Sequence, residues 1–179
     1  LHVIGGTDDQ AALDRTTRRF RSLDLGNGRI TELPPYPESG FIIGTAAAVG
    51  GRIYVFGGAR WDEGARTVVN HASGHAYETA TRRWSALPSL PRANRGLTAV
   101  VLDPRRIYLA GGYVSDEVGF TPDAFIFDPE KPAYHPATPL PYAGMVTLVR
   151  SGEWVYCLGG EDRKRHRSAA VHRIRAAEL

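Results

Sequence analysis

The feature that most constrains this chain is a short phrase that occurs four times, an apolar run directly followed by two glycines. The runs are too short to form helices, so each one indicates a buried β-strand that ends at a backbone position suited to glycine. The phrases occupy residues 1–6, 50–58, 106–112 and 154–160. Their first glycines lie 52, 54 and 48 residues apart. A nearly constant period of this length predicts a repeat architecture rather than one irregular domain.

A second set of residues recurs with the same period. An apolar residue followed by an acid comes 17, 19 and 15 residues after the first three double glycines, at positions 23–24, 77–78 and 127–128. Seven residues beyond each of these apolar positions stands another large side chain: Ile30, Trp84 or Tyr134. A Tyr-Pro or Leu-Pro pair follows at 36–37, 90–91 and 140–141. Because both sets of residues recur with the same period, the pattern indicates a true repeat.

This order of apolar strand, double glycine, acidic turn, aromatic residue and Leu-Pro resembles the kelch repeat, whose four-stranded units are the blades of a β-propeller. The resemblance covers essentially the whole chain. The WD40 repeat fits less well, because its period is about 40–45 residues and the only Trp-Asp pair, Trp61-Asp62, falls in a predicted loop. The resemblance implies that Trp84 and Tyr134 are packing residues on the outer strands.

The implied fold is all-β, a kelch-type β-propeller segment of about three and a half four-stranded blades. The strands of a blade are lettered A to D from the central channel outward. The predicted division is a first partial blade without strand A, two complete blades, and a fourth partial blade without strand D, at residues 1–37, 38–91, 92–141 and 142–179. Closed propellers typically have about 4–8 blades. We therefore expect a part of a larger ring, completed by further blades or by another copy of the chain. Exposed edges favour self-association of the chain alone.

The bulk composition is that of an ordinary globular protein, with 42% hydrophobic and 23% charged residues and a net charge of +3. The basic cluster at 163–167 follows two acids within one loop, so we interpret it as a solvated turn and not as a nucleic-acid site. One cysteine, Cys157, excludes an internal disulfide and a Cys-based zinc site. No apolar run of about 18 residues occurs, so no membrane partner is expected. The compartment stays open.

The kelch arrangement implies that the B–C and D–A connections emerge together around the mouth of the channel. These connections are residues 7–20, 59–72, 113–123 and 161–170, and residues 34–41, 88–96 and 139–144. Guanidinium groups can clamp a carboxylate at two points, and aromatic rings stack on sugar rings, so this face suits a sugar acid, another small carbohydrate or an acidic segment of a protein partner. The candidate ligand-binding residues are Arg60, Trp61, Arg92, Arg95, Tyr113, Tyr142 and Arg163. Arg95 stands where a kelch repeat commonly carries an arginine; its structural alternative is an ion pair with an acid of a neighbouring blade.

Two functions remain open from the sequence. The first is a scaffold that binds a ligand or protein through this loop face. The alternative is a carbohydrate-active propeller similar to the bacterial N-acetylneuraminate mutarotases, for which an acid, a base and a cation are needed. Glu63, Glu161 and Arg95 are the candidate catalytic residues, although no motif carries over the family's own. No cofactor is predicted, and His71 and His75 have no evident third ligand for a metal.

Overall fold

A computed structural model describes residues 1–9 and 13–179 of the chain. Within these residues it contains 18 β-strands and two short 3₁₀ helices, Leu13–Arg15 and Ala176–Glu178. None of the helices described is long and apolar enough to cross a membrane. Four antiparallel sheets, the four blades, follow one another along the chain. The predicted all-β architecture is confirmed.

The strands of each blade are adjacent in the order in which they occur along the chain. The first blade contains β1 (His2–Ile4), β2 (Phe20–Leu23) and β3 (Ile30–Leu33). The second contains β4 (Thr45–Val49), β5 (Arg52–Phe56), β8 (Gly74–Glu78) and β9 (Arg83–Leu87). The third contains β10 (Thr98–Asp103), β11 (Arg106–Ala110), β14 (Ala124–Asp128) and β15 (Ala133–Pro136). The fourth contains β16 (Met145–Ser151), β17 (Trp154–Arg163) and β18 (His166–Arg175).

Three of the B–C connections differ from the sequence-based expectation, because they form β-hairpins where loops were predicted. The second blade carries β6 (Ala59–Asp62) and β7 (Thr67–Asn70), and the third carries β12 (Tyr113–Ser115) and β13 (Gly119–Phe120). In the fourth blade β17 and β18 simply continue past their double glycine. The physical reason is cross-strand pairing: Trp61, for example, lies opposite Val68, a pair that favours extended backbone. Residues 10–12 of the first B–C connection lie outside the described residues.

The double glycines join each blade to the next one. All eight glycines have positive φ angles, including 57° at Gly57 and 98° at Gly58. The second glycine of the pair donates its N–H to a carbonyl just before the next inner strand, from Gly58 to Asn94 O over 2.7 Å. Gly6 and Gly112 make the same bond to Phe41 O and Gly144 O, over 2.7 and 2.8 Å. A Cβ at Gly57 would lie 2.7 Å from the same carbonyl oxygen of Asn94, so only glycine allows the two blades to approach this closely.

Three apolar clusters make up the core, and each one fills the space between two neighbouring blades. The aromatic residues of the outer strands belong to these clusters, as the repeat pattern predicts. Trp84 packs on Phe20, Tyr36 and Tyr77 with ring centroids 5.3, 5.4 and 5.0 Å apart. Its side chain is half-buried rather than largely buried, because β9 is the outermost strand of its blade.

Candidate functional site

The B–C hairpins and the D–A connections share one face of the arc, which we call the hairpin face. It consists of residues 59–70, 113–120 and 160–168 of the hairpins and residues 38–44, 92–96 and 141–144 of the connections. The inner strands β4, β10 and β16 begin directly beneath it. Rigid sheets therefore support every candidate residue of this face, which is the arrangement in which loops most often bind ligands.

Arg95 occupies a defined position between the second and third blades. Its backbone forms an antiparallel bridge with Tyr113, with N···O distances of 3.1 and 2.7 Å. The guanidinium lies over the ring of Tyr113, with Cζ 4.4 Å from the ring centroid, and Nη1 donates to Asn70 Oδ1 over 3.0 Å. The Asn70 amide donates in turn to the carbonyls of Tyr113 and Val114, over 2.9 and 2.8 Å. These contacts fix the cation before any ligand arrives.

No carboxylate neutralises Arg95 in an ion pair within residues 1–9 and 13–179. The structural alternative considered from the sequence, an ion pair with an acid of a neighbouring blade, is thus not found in these residues. The neighbouring acid Asp116 accepts a hydrogen bond from the Tyr113 hydroxyl instead. That bond raises the pKa of Tyr113, so the phenol stays neutral and keeps its proton. The Arg95 guanidinium is thus a half-buried positive charge.

Arg60, Trp61 and Glu63 lie on the neighbouring β6–β7 hairpin. Arg60 Nη1 is 3.9 Å from Asp62 Oδ2, a loose ion pair. The indole Nε1 of Trp61 is buried and has no hydrogen-bond partner within residues 1–9 and 13–179. A cavity of about 350 Å³ opens beside the three residues, and its other lining residues are Asp14, Thr16, Ser39, Asp62 and Gly64.

The other candidate ligand-binding residues are Arg92, Tyr142 and Arg163, and the first two form hydrogen bonds within the fold. Arg92 donates to Asp123 over 2.7 Å. The Tyr142 hydroxyl donates to the carbonyl of Gly159 over 2.7 Å, which ties the D–A connection to β17. Arg163 is exposed at the end of β17. None of these three residues forms a hydrogen bond or an ion pair with Arg95 among the described residues.

Glu161 is also occupied by its own hairpin. One carboxylate oxygen accepts the backbone N–H of Arg165 over 2.9 Å, and the other lies 2.5 Å from Arg167 Nη1. The first of these bonds, with help from the second, lowers the pKa of Glu161, so it is a stably ionised group. Glu63, by contrast, is exposed in the turn of the β6–β7 hairpin. Among the residues described, no group of three or more His, Cys, Asp or Glu side chains is arranged to hold a metal ion.

Sequence analysis missed Asn70, the residue that orients Arg95. The only sequence signal for it is an amide at the end of the β-branched run Thr67–Asn70, and an amide in a loop is too common to single out. Its role depends on the register of the β6–β7 hairpin, which places Asn70 opposite Ala59 and next to the third blade.

Comparison with known proteins agrees with this geometry. A family model for the Kelch motif matches residues 44–91, the second blade. The solved structure of YjhT superposes with a TM-score of 0.80 over 90% of this chain and 58% of that one, at 20% sequence identity. The chain contains a Kelch motif in its second blade and has the fold of a kelch-type β-propeller. A curated relative of this propeller is the spermatocyte protein spe-26 of Caenorhabditis elegans, which is 28% identical over 125 residues. That match covers 68% of this chain and 21% of spe-26, so the kelch chain spans about a fifth of that relative.

Proposed function

We propose that this kelch propeller is a binding module whose hairpin face holds a carboxylate-bearing ligand at Arg95. The observation that carries the proposal is the state of the Arg95 guanidinium: stacked on Tyr113, oriented by Asn70 and not neutralised by a described carboxylate. A carboxylate is the group that such a planar cation binds best, because two parallel N–H···O bonds match its geometry.

Ligand size and polarity are supported by the neighbouring hairpin. The cavity of about 350 Å³ beside Arg60 is lined with hydroxyl and carboxylate groups, which hydrogen-bond hydroxyl-rich molecules. The β6–β7 hairpin that lines this cavity also carries Asn70, whereas Arg95 itself does not line it. A sugar acid and an acidic peptide of a protein partner share the carboxylate and differ in their hydroxyl content, so one experiment distinguishes these two sources.

The test compares N-acetylneuraminate, its methyl ester and a glutamate-rich peptide as titrants in calorimetry. We expect the free acid or the peptide to bind, the ester to bind at least tenfold more weakly than the acid, and Arg95→Gln to lose at least tenfold in affinity. Arg105→Gln is the control: Arg105 is an exposed arginine that pairs with Glu130 at 3.0 Å and with Asp128 at 3.7 Å, and it lies in the turn at the opposite end of the strands. Equal binding by Arg95→Gln and the unaltered chain would disprove the proposal.

N-acetylneuraminate can also be used to test the chain for mutarotase activity. Glu161 is held by Arg165 and Arg167, and Glu63 is exposed in a turn, so neither candidate carboxylate has a described contact with Arg95. We therefore expect the chain to leave unchanged the rate at which fresh α-anomer of N-acetylneuraminate equilibrates, followed by its anomeric NMR signals. Acceleration that Glu63→Gln or Glu161→Gln abolishes would instead assign a mutarotase-like activity.

A further inference from the structure

Tyr113 lies between two opposite charges on the hairpin face. The Arg95 guanidinium is stacked on its ring, with Cζ 4.4 Å from the ring centroid. At the other end of the side chain, the Tyr113 hydroxyl donates a hydrogen bond to the carboxylate of Asp116, in the turn of the same hairpin. The aromatic side chain therefore separates a cation from an anion.

These two charges do not neutralise each other. The ring and one hydrogen bond keep the guanidinium carbon of Arg95 and the carboxylate of Asp116 roughly 5–7 Å apart, whereas an ion pair needs a separation of about 4 Å or less. Among the described residues, neither group forms an ion pair with any other side chain. The next acid, Glu117, accepts a hydrogen bond from Ser115 instead. Both charges thus remain available to a ligand.

The spacer between the charges is held in place by the fold. Tyr113 pairs with Phe120 across the β12–β13 hairpin, and the two rings pack edge to face with their centroids 5.3 Å apart. Arg95 is bridged to the backbone of Tyr113 and bonded to Asn70 Oδ1 over 3.0 Å. A ligand therefore meets two charges at a preset separation, which lowers the entropy cost of binding both.

The presence of Asp116 changes which carboxylate the site prefers. A purely anionic ligand is attracted by Arg95 but repelled by the acid across the ring. A ligand with an additional cationic group is attracted by both charges, and this complementarity discriminates between the two classes. The separation of the two charges matches an amino group a few carbon atoms away from the carboxylate.

We propose that the Arg95 site binds a zwitterionic ligand, whose carboxylate contacts Arg95 and whose ammonium group contacts Asp116 across the ring of Tyr113. This inference rests on the proposed function and narrows the carboxylate-bearing ligand to one that also carries a cation. A free amino acid with a remote amino group and a protein segment with Glu beside Lys share this chemistry.

The probes are γ-aminobutyrate and pentanoate, titrated into the isotope-labelled full chain and followed by NMR chemical shifts. The two molecules have the same length and differ in an ammonium group that replaces a methyl group. We expect γ-aminobutyrate to bind about two- to fivefold more tightly, the range for an exposed ion pair. High salt should narrow that difference, since it screens exposed charges. Arg95→Gln should weaken the binding of both probes at least tenfold.

The Asp116→Asn variant keeps an acceptor for the Tyr113 hydroxyl and removes only the negative charge. It should abolish the preference for γ-aminobutyrate without weakening pentanoate, which also shows that the variant is folded. Glu117→Gln is the matched control, because it removes the same charge from the next residue and should retain the preference. Equal binding of the two probes to the unaltered chain, with both dependent on Arg95, would overturn this inference and leave the proposed function standing. Binding of both probes that persists in Arg95→Gln would overturn the proposed function as well.

An acetylated and amidated Glu-Lys dipeptide distinguishes the two sources of such a ligand. Binding at least as tight as that of γ-aminobutyrate, and weakened by Asp116→Asn, would assign the site to a segment of a protein partner. Weaker binding of the dipeptide, together with the expected preference for γ-aminobutyrate, would assign it to a small amino acid.

Discussion

At the scale of single residues, Trp84 offers the clearest measurement of how two blades hold together. It contacts three aromatic rings and one carbonyl of the first two blades. We expect Trp84→Ala to lower the free energy of unfolding by about 3 kcal/mol, the low end for a large aromatic residue because the indole is half-buried. Trp84→Phe keeps the ring and removes the N–H, so it should cost about 1 kcal/mol. Urea unfolding measures both, and a loss below about 1 kcal/mol for the alanine variant would contradict this account.

Two histidines between the first and second blades give the stability a pH dependence. His75 Nδ1 lies 3.2 Å from the Tyr36 hydroxyl, and His71 Nδ1 lies 2.7 Å from Ser73 Oγ. Burial lowers the pKa of both histidines, although the charge of Glu38 partly opposes this. The unfolded chain therefore binds more protons than the folded one as the pH falls below about 6.5.

The free energy of unfolding should accordingly be level above about pH 7 and fall between pH 7 and 5.5. Urea unfolding at these pH values measures the decline. The His75→Gln variant should show a smaller decline. Carboxylates with lowered pKa values, such as Asp103 and Asp128, act only at lower pH. A stability that rises on acidification in this window would show that burial is not the dominant effect on these histidines.

The sequence allowed Arg95 to be singled out but not its surroundings. Its place before an inner strand follows from the repeat, whereas the contacts with Asn70 and Tyr113 depend on two hairpins in separate repeats. Such contacts are set by tertiary packing, which local patterns do not report. The position of Trp84 could be predicted because it depends on local structure. Trp84 and Tyr77 lie opposite each other in one hairpin, and the same spacing recurs in each repeat.

At the scale of elements, glycine is needed for one reason in the turn between β4 and β5 and for a further reason in the double glycine that follows β5. Gly50 has a φ angle of 60° and nothing within 4 Å of the position of a Cβ, whereas Gly58 combines a φ angle of 98° with a carbonyl 2.9 Å away. We expect Gly50→Ala to cost about 1–2 kcal/mol from its backbone conformation alone. Gly58→Ala should cost about 1–3 kcal/mol more, from overpacking. Thermal unfolding of the two variants compares the costs, and equal costs would show that the close approach is unimportant.

Sequence patterns predicted the blade strands more accurately than the hairpins between them. The outer strand β9 (Arg83–Leu87) carries Trp84 as the repeat pattern implies, because a Gly-Gly turn, an acidic turn and a Trp fix its register. The residues of β6 and β7 alternate less clearly, with Arg60, Trp61 and Asp62 in succession. β6 and β7 pair because the adjacent strands β5 and β8 hold the two ends of this connection close together. That proximity exists only in the assembled blade.

At the scale of the whole molecule, burial is greatest in the middle of the arc and decreases towards both ends. Four of the five residues of β5, β8 and β11 are buried, whereas β1 and β18 have none. In a repeat protein each unit is stabilised mainly by its neighbours. We therefore expect native-state hydrogen exchange to be slowest in β5, β8 and β11 and fastest in β1 and β18. Uniform protection would indicate that the four blades unfold as one unit.

The hydrogen bonds from the double glycines to the next blade also determine the order in which the blades can form during synthesis. Each donor waits for a carbonyl that lies 32 to 36 residues further along the chain. During synthesis at about 5–20 residues per second, that acceptor leaves the ribosome about 2–7 s after its donor. A newly made blade can therefore form its inter-blade hydrogen bond only when the start of the next blade has emerged. Each blade is stabilised in turn by the blade that follows it in the chain.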